Sequence, residues 1–130
     1  MTHCLDSWAI LAWLDGEEPA ATVVEEVVAA ERPAVSWINL VEVEYRLRRD
    51  HSVDDANATL AAVRELVAEE LPGVARMRAV ATLKAEQPVA LGGCFAIATA
   101  AAAGATLVTG DAEIVERMDR LPCRVRDARA

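Results

Sequence analysis

The sequence predicts an α/β protein with a mainly parallel central sheet. Three observations support this class. Short apolar runs alternate along the chain with longer stretches of helical periodicity, the pattern of βα units rather than of hairpins. Two of these runs, at residues 3–6 and 105–111, end abruptly on an aspartate and pass directly into a helical segment. Of the 130 residues 54% are apolar and only 4% aromatic. That composition suits one domain over residues 1–130, with a core built from Ala, Val and Leu.

The first strand is read at His3-Cys4-Leu5, stopping at Asp6, and the first helix over residues 8–14. The length suits a central parallel strand, and nothing polar interrupts it before Asp6. Gly16 can end that helix, and Pro19 suits the first turn of the next. Residues 20–31 follow as a helix with Val23, Val24, Val27 and Val28 on one face and Glu25 and Glu26 on the other. Arg32-Pro33 breaks it, and Ala34-Val35-Ser36 makes a second strand.

Residues 37–50 are predicted helical, with Ile38, Val41 and Tyr45 at helical spacing and a basic end at Arg46, Arg48 and Arg49. That end complements the helix dipole and is available to RNA phosphates or an acidic partner. A long helix is predicted over 56–70, with Leu60, Val63, Leu66 and Val67 on one stripe. A break with a short edge strand is placed at Leu71-Pro72-Gly73-Val74, then a helix over 75–85 ended by Gln87-Pro88. An Ala-rich helix opens at Leu91-Gly92-Gly93 and runs to about residue 103, where Gly104 stops it. Two adjacent glycines are a poor helix start, where Ser, Thr, Asp or Asn would be expected. Residues 105–109 form a strand that exits into Gly110-Asp111, followed by a helix over 112–118 and a last strand at 123–126.

The net charge of −8 argues against a protein that holds nucleic acid by bulk positive charge, but not against one that approaches phosphates through metal ions. Three separated cysteines, Cys4, Cys94 and Cys123, form no CxxC pair, and only two histidines accompany them, so a zinc site is not expected. All three are read as small buried residues in a reducing compartment. No signal segment or bilayer-length apolar run is seen, so a soluble, cytoplasmic protein with no membrane partner is expected.

In an open α/β sheet the ligand crevice lies beyond the carboxyl ends of the strands. Asp6 and Asp111 both sit at such an exit. If their strands are neighbours, about 4.8 Å apart, the two carboxylates share one crevice. Asp6 also has a plainer reading as an N-cap. Glu42, near the start of the helix that follows the second strand, is a third candidate; its plainer reading is a surface ion pair with Arg46 at i+4, worth about 0.2–0.5 kcal/mol. Two carboxylates at about 4 Å repel by roughly 4 kcal/mol at an effective dielectric of 20, so such a cluster calls for a cation. Oxygen-only donors select Mg²⁺ or Mn²⁺, and such a site suits phosphodiester hydrolysis.

The segments Leu5-Asp6-Ser7, Ser36-x-x-Asn39-Leu40-x-Glu42, Cys94-Phe95-Ala96-Ile97-Ala98-Thr99-Ala100 and Leu107-Val108-Thr109-Gly110-Asp111-x-Glu113 occur in the order and spacing of PIN domains. More narrowly, the chain resembles the VapC toxins of VapBC toxin–antitoxin pairs, over nearly its whole length. The resemblance implies a three-layer α/β/α fold and a Mg²⁺- or Mn²⁺-dependent ribonuclease. It also implies a homodimer, with the apolar faces near residues 37–67 as candidate surface, inhibited by a VapB-like antitoxin whose tail enters the acidic crevice. It implies Asp6, Glu42 and Asp111 as catalytic and metal-binding acids, with Ser7, Asn39, Thr109 and Glu113 as supporting polar residues. For Glu113 a plain exposed helix-start role stands beside this, and for Thr109 a turn cap.

One position departs from the family pattern, which has an Asp directly before the Cys-Phe-Ala helix. Here that position is Gly93. Loss of this acid predicts weak or absent nuclease activity with the fold retained, whether Gly93 is an inactivating change or belongs to a natural degenerate member. Two other classes of function are carried alongside. One is a non-catalytic PIN-like module acting through an antitoxin and operator complex. The other is a receiver-like signalling domain, disfavoured because the single lysine, Lys84, lies in a predicted helix rather than after a late strand.

Overall fold

The computed structural model describes residues 2–130. Five short strands, β1 (His3–Leu5), β2 (Ala34–Ser36), β3 (Ala68–Glu70), β4 (Thr106–Thr109) and β5 (Arg124–Asp127), form one sheet in the order β3-β2-β1-β4-β5. Every pairing is parallel. The helices are α1 (Ser7–Leu14), α2 (Ala20–Ala30), α3 (Trp37–Asp50), α4 (Val53–Leu66), α5 (Val74–Glu86), α6 (Leu91–Ala103) and α7 (Ala112–Val115), with a 3₁₀ turn at Met118–Arg120.

The strands alternate their side chains between two cores, as strand geometry requires. Leu5, Val35 and Val108 face a core filled by Ala9, Ile10, Val24, Leu40, Val43, Leu60 and Val63 from α1 to α4. Cys4, Ala34 and Leu107 face a second core filled by Val80, Leu83, Phe95, Ile97 and Ile114 from α5 to α7. The result is the three-layer α/β/α sandwich expected of a parallel sheet covered on both faces.

Several boundaries differ from the sequence reading. The helix predicted over 56–70 starts earlier, at Val53, behind a Ser52 cap whose side chain accepts from the Asp55 N–H at 3.1 Å. It stops at Leu66, and the edge strand predicted at 71–74 lies instead at Ala68–Glu70. Glu69 and Glu70 are good helix formers, but tertiary contacts override that preference. Val67 leaves the helix in extended conformation and is fully buried. The Arg64 guanidinium holds Glu69 at 2.7 Å, and that of Arg76 holds Glu70 at 2.8 Å.

In α3 the buried residues are Asn39, Leu40, Val43 and Leu47, while Val41 and Tyr45 are exposed. The predicted buried face is therefore rotated. On α4, Leu66 is exposed as well. The last helix is a single turn, the last strand begins one residue late, and Cys123 is only partly buried. Gly104 ends α6 as read, in the left-handed conformation at φ 61°. Among the described residues no helix is long and apolar enough to cross a membrane.

Candidate active site

β1 and β4 are adjacent, with Leu5 opposite Val108, so both Asp6 and Asp111 leave the sheet at one edge. Asp6 is buried, 3% exposed. Its Oδ1 accepts the Ala9 N–H at 2.9 Å, capping α1, and its Oδ2 accepts the hydroxyl of Thr109. The plainer cap reading of Asp6 therefore holds, at a carboxyl that stands at the strand exit. Burial pushes the Asp6 pKa up to about 7; Asp111 and Glu42 add to the rise, and the hydrogen bonds from Thr109 and Ala9 offset only part of it.

Thr109 has two duties. Its hydroxyl donates to Asp6 and accepts the backbone N–H of Asp111 at 3.0 Å. Asp111 then caps α7, its Oδ1 accepting the Glu113 N–H at 2.8 Å. Asp111, Thr109 and Asp6 form one hydrogen-bonded string across two strands.

A second string centres on Glu42. Its Oε1 accepts the Ser7 hydroxyl at 3.1 Å and the Asn39 side-chain amide at 2.9 Å, and the same amide donates to the Gly92 carbonyl at 3.0 Å. Glu42 makes no ion pair with Arg46 among the described residues. It lies against the start of α6, where a Cβ on Gly92 would come 2.5 Å from Glu42 Oε2. The Gly92 carbon must be bare for Glu42 to sit there. The adjacent glycines signal this in the sequence, but their partner could not be read from it.

Gly93 faces elsewhere. A Cβ there would meet Val89 Cγ1 at 2.7 Å and Ile114 Cδ1 at 3.3 Å, both on buried residues. Glu113 is exposed and stands at the rim, accepting the Ala90 N–H at 3.2 Å and so tying α7 to the start of α6. Trp8 is a neighbour the sequence reading passed over: a Cβ on Gly110 would fall inside its indole, so the ring lies on the backbone next to Asp111. Two clefts of about 730 and 770 Å³ share Ala101, Asp119, Leu121 and Pro122 in their walls and contain none of Asp6, Glu42 and Asp111.

The family comparison settles what kind of domain carries this edge. Residues 3–121 match the PIN domain family. The chain belongs to the PIN domain family. Among curated proteins no sequence match is found. Solved structures share the fold of this PIN domain at low identity. VapBC2 from Rickettsia felis, bound to a DNA fragment from its promoter, aligns with a TM-score of 0.76 at 16% identity, covering 97% of this chain and 98% of that one. VapBC-1 from nontypeable Haemophilus influenzae gives 0.73 at 19% identity, covering 98% of each chain. DNA-bound VapBC from Salmonella typhimurium gives 0.76 at 17%, covering 97% of each.

Among the described residues no three of His, Cys, Asp and Glu converge as a finished metal cage. The donor chemistry nevertheless fits a hard cation. The donors are oxygens, and Glu42 Oε2 and Asp111 Oδ2 accept no hydrogen bond among the described residues. The buried Asn39 Oδ1 likewise has no partner. A cation near Asp6 would replace the proton that burial and its two acidic neighbours favour.

Proposed function

We propose that this PIN domain is a VapC-like toxin: a Mg²⁺- or Mn²⁺-dependent endoribonuclease of the cytoplasm, formed by residues 1–130 as one unit and neutralised by a VapB-like antitoxin. The observation that carries the reading is the shared strand edge: Asp6, buried at the end of β1, is bonded to Thr109 on the adjacent β4, and the same hydroxyl holds the backbone of Asp111. The solved neighbours are VapBC assemblies, which supports an antitoxin as partner. The exposed Val41 and Tyr45 of α3 offer apolar surface for a second copy.

In this reading Asp6, Glu42 and Asp111 hold the metal. When bound, Mg²⁺ or Mn²⁺ polarises the phosphate and lowers the pKa of the attacking water. The protein's own part is positional. Thr109 fixes Asp6 and the Asp111 backbone in one geometry. Ser7 and Asn39 hold one Glu42 oxygen and leave the other without a hydrogen bond among the described residues. Glu113 anchors the rim. The oxygen-rich edge receives a phosphate only with the cation in place, because three carboxylates alone repel it.

Gly93 in place of the acid usual for the family weakens metal binding and leaves this chain with low or no activity. The contact of that position with Val89 favours the second reading, a non-catalytic PIN module that retains antitoxin binding, since the space for a side chain at 93 is already filled. One pair of assays separates them. RNA cleavage in Mn²⁺, with EDTA as control, is compared for this chain and Gly93→Asp. Cleavage by the Asp variant alone supports the enzyme reading with Gly93 as its lesion. Cleavage by neither, with antitoxin binding by both, supports the module.

A further inference from the structure

We infer that the edge strand β5 is a cationic track on which single-stranded RNA lies as it leaves the acidic crevice; this rests on the ribonuclease reading above and names where its substrate is held. Residues 117–130 contain five arginines against two aspartates, while the other 116 residues contain eight cations against 19 acids. A polyanion is repelled by most of this molecule; besides the basic end of α3 at Arg46, Arg48 and Arg49, this stretch is where positive charge gathers, and it is the one paired to the strand that carries Thr109.

Its placement matches the site. β5 pairs with β4 in parallel, with Arg124 opposite Thr106, Arg126 opposite Val108 and Asp127 opposite Thr109. Thr109 is the residue that holds Asp6. The carboxyl end of β5 is therefore one strand away from the acids, and the Ala128 N–H is bonded to the Thr109 carbonyl at 2.8 Å.

Arg124 and Arg126 are exposed and share one face of the strand, two residues or about 6.6 Å apart. Among the described residues neither forms an ion pair, and nor do Arg117 and Arg120; Arg124 donates only to neutral acceptors, the Thr106 hydroxyl and the Gly104 carbonyl, each at 3.2 Å, so its charge is not cancelled. By contrast Arg48, Arg64 and Arg76 are each spent on a glutamate. Charged residues also protect an edge strand from pairing with other chains, a duty one charge can perform, whereas two unpaired arginines on the same face of β5 stand in a chain of net charge −8. The sign of the charge points to a phosphate backbone.

The test is fluorescence anisotropy of a fluorescein-labelled single-stranded RNA 12-mer, titrated in EDTA over a range of salt. Arg124→Glu/Arg126→Glu is expected to bind at least tenfold more weakly, with a log K against log salt slope shallower by about 1.4, the loss of two phosphate contacts. Arg124→Gln/Arg126→Gln should fall between, and Arg78→Glu on α5 should bind like the parent. Circular dichroism melts confirm that each variant folds. Unchanged RNA affinity in the charge-reversed protein would overturn the track. So would competition by poly-L-glutamate as effective as by unlabelled RNA, which would assign the strand to an acidic peptide instead. Cleavage assays on the same variants in the Gly93→Asp background keep the two claims apart. Cleavage with unaltered binding removes the track alone; weakened binding with no cleavage in any variant leaves the track and removes the nuclease.

Discussion

The hydroxyl of Thr109 on β4 donates to the buried carboxyl of Asp6 at the end of β1, joining two adjacent strands at the edge where the acids gather. Thr109→Val keeps the shape and removes this donor. The buried Asp6 loses one of the two hydrogen bonds that oppose its raised pKa, so that pKa rises further. Urea unfolding should show a loss of about 1–3 kcal/mol, the cost of leaving a buried polar group without its partner.

Asn39 ties Glu42 to the start of α6. Asn39→Ala should reduce stability by a similar amount, about 1–3 kcal/mol, and free the Glu42 carboxylate. Thermal melts with and without MnCl₂ check both effects. The melting temperature without metal falls, and the increment given by Mn²⁺ shrinks because a mobile Glu42 binds the ion less well.

Gly93→Asp should lower the melting temperature even if it restores activity. Its Cβ meets Val89 Cγ1 at 2.7 Å, and valine is a stiff neighbour with little room to turn. Overpacking of this kind costs about 1–3 kcal/mol. Gly93→Asp/Val89→Ala should suffer less than the sum of the two single substitutions, because the smaller residue opens the space. Differential scanning calorimetry of the four proteins closes the cycle.

Glu31, just after α2, accepts the Thr2 N–H at 2.8 Å, the His3 N–H at 2.9 Å and the Thr2 hydroxyl at 2.6 Å. Burial raises its pKa, but these donors outweigh it and hold the carboxyl at about 2, below its ordinary 4.5. A depressed folded pKa stabilises the protein above the unfolded value, and that stability is lost as pH falls. Unfolding free energies measured from pH 5 to pH 2 should decline more steeply for the parent than for Glu31→Gln, which cannot titrate.

The strand exits were legible because they depend on local order: an apolar run, a carboxylate, then helical spacing. Asp6 and Asp111 follow from that alone, and the parallel pairing of their strands follows from the βα alternation. β3 was not legible, because Glu69 and Glu70 read as helix until Arg64 and Arg76, each on a helix flanking β3 in the chain, are seen to hold them. Nor was the buried face of α3. Val41 and Tyr45 look like core by type, yet the helix turns Asn39 inward because its amide has Glu42 and Gly92 to serve. The bare carbon at Gly92 is likewise a demand made by a side chain fifty residues away, which spacing along the chain cannot express.

Trp8 lies on the backbone of Gly110, beside Asp111 and two residues beyond Asp6. Of the other two indoles, Trp13 is bonded to Glu25 and Trp37 is stacked under Arg64, on contacts that involve none of Asp6, Glu42 and Asp111. The protein therefore carries a built-in optical reporter. A change in intrinsic emission on adding MnCl₂, lost in Trp8→Phe and kept in Trp13→Phe and Trp37→Phe, is the expected sign of an ion arriving beside Asp111, read without any label.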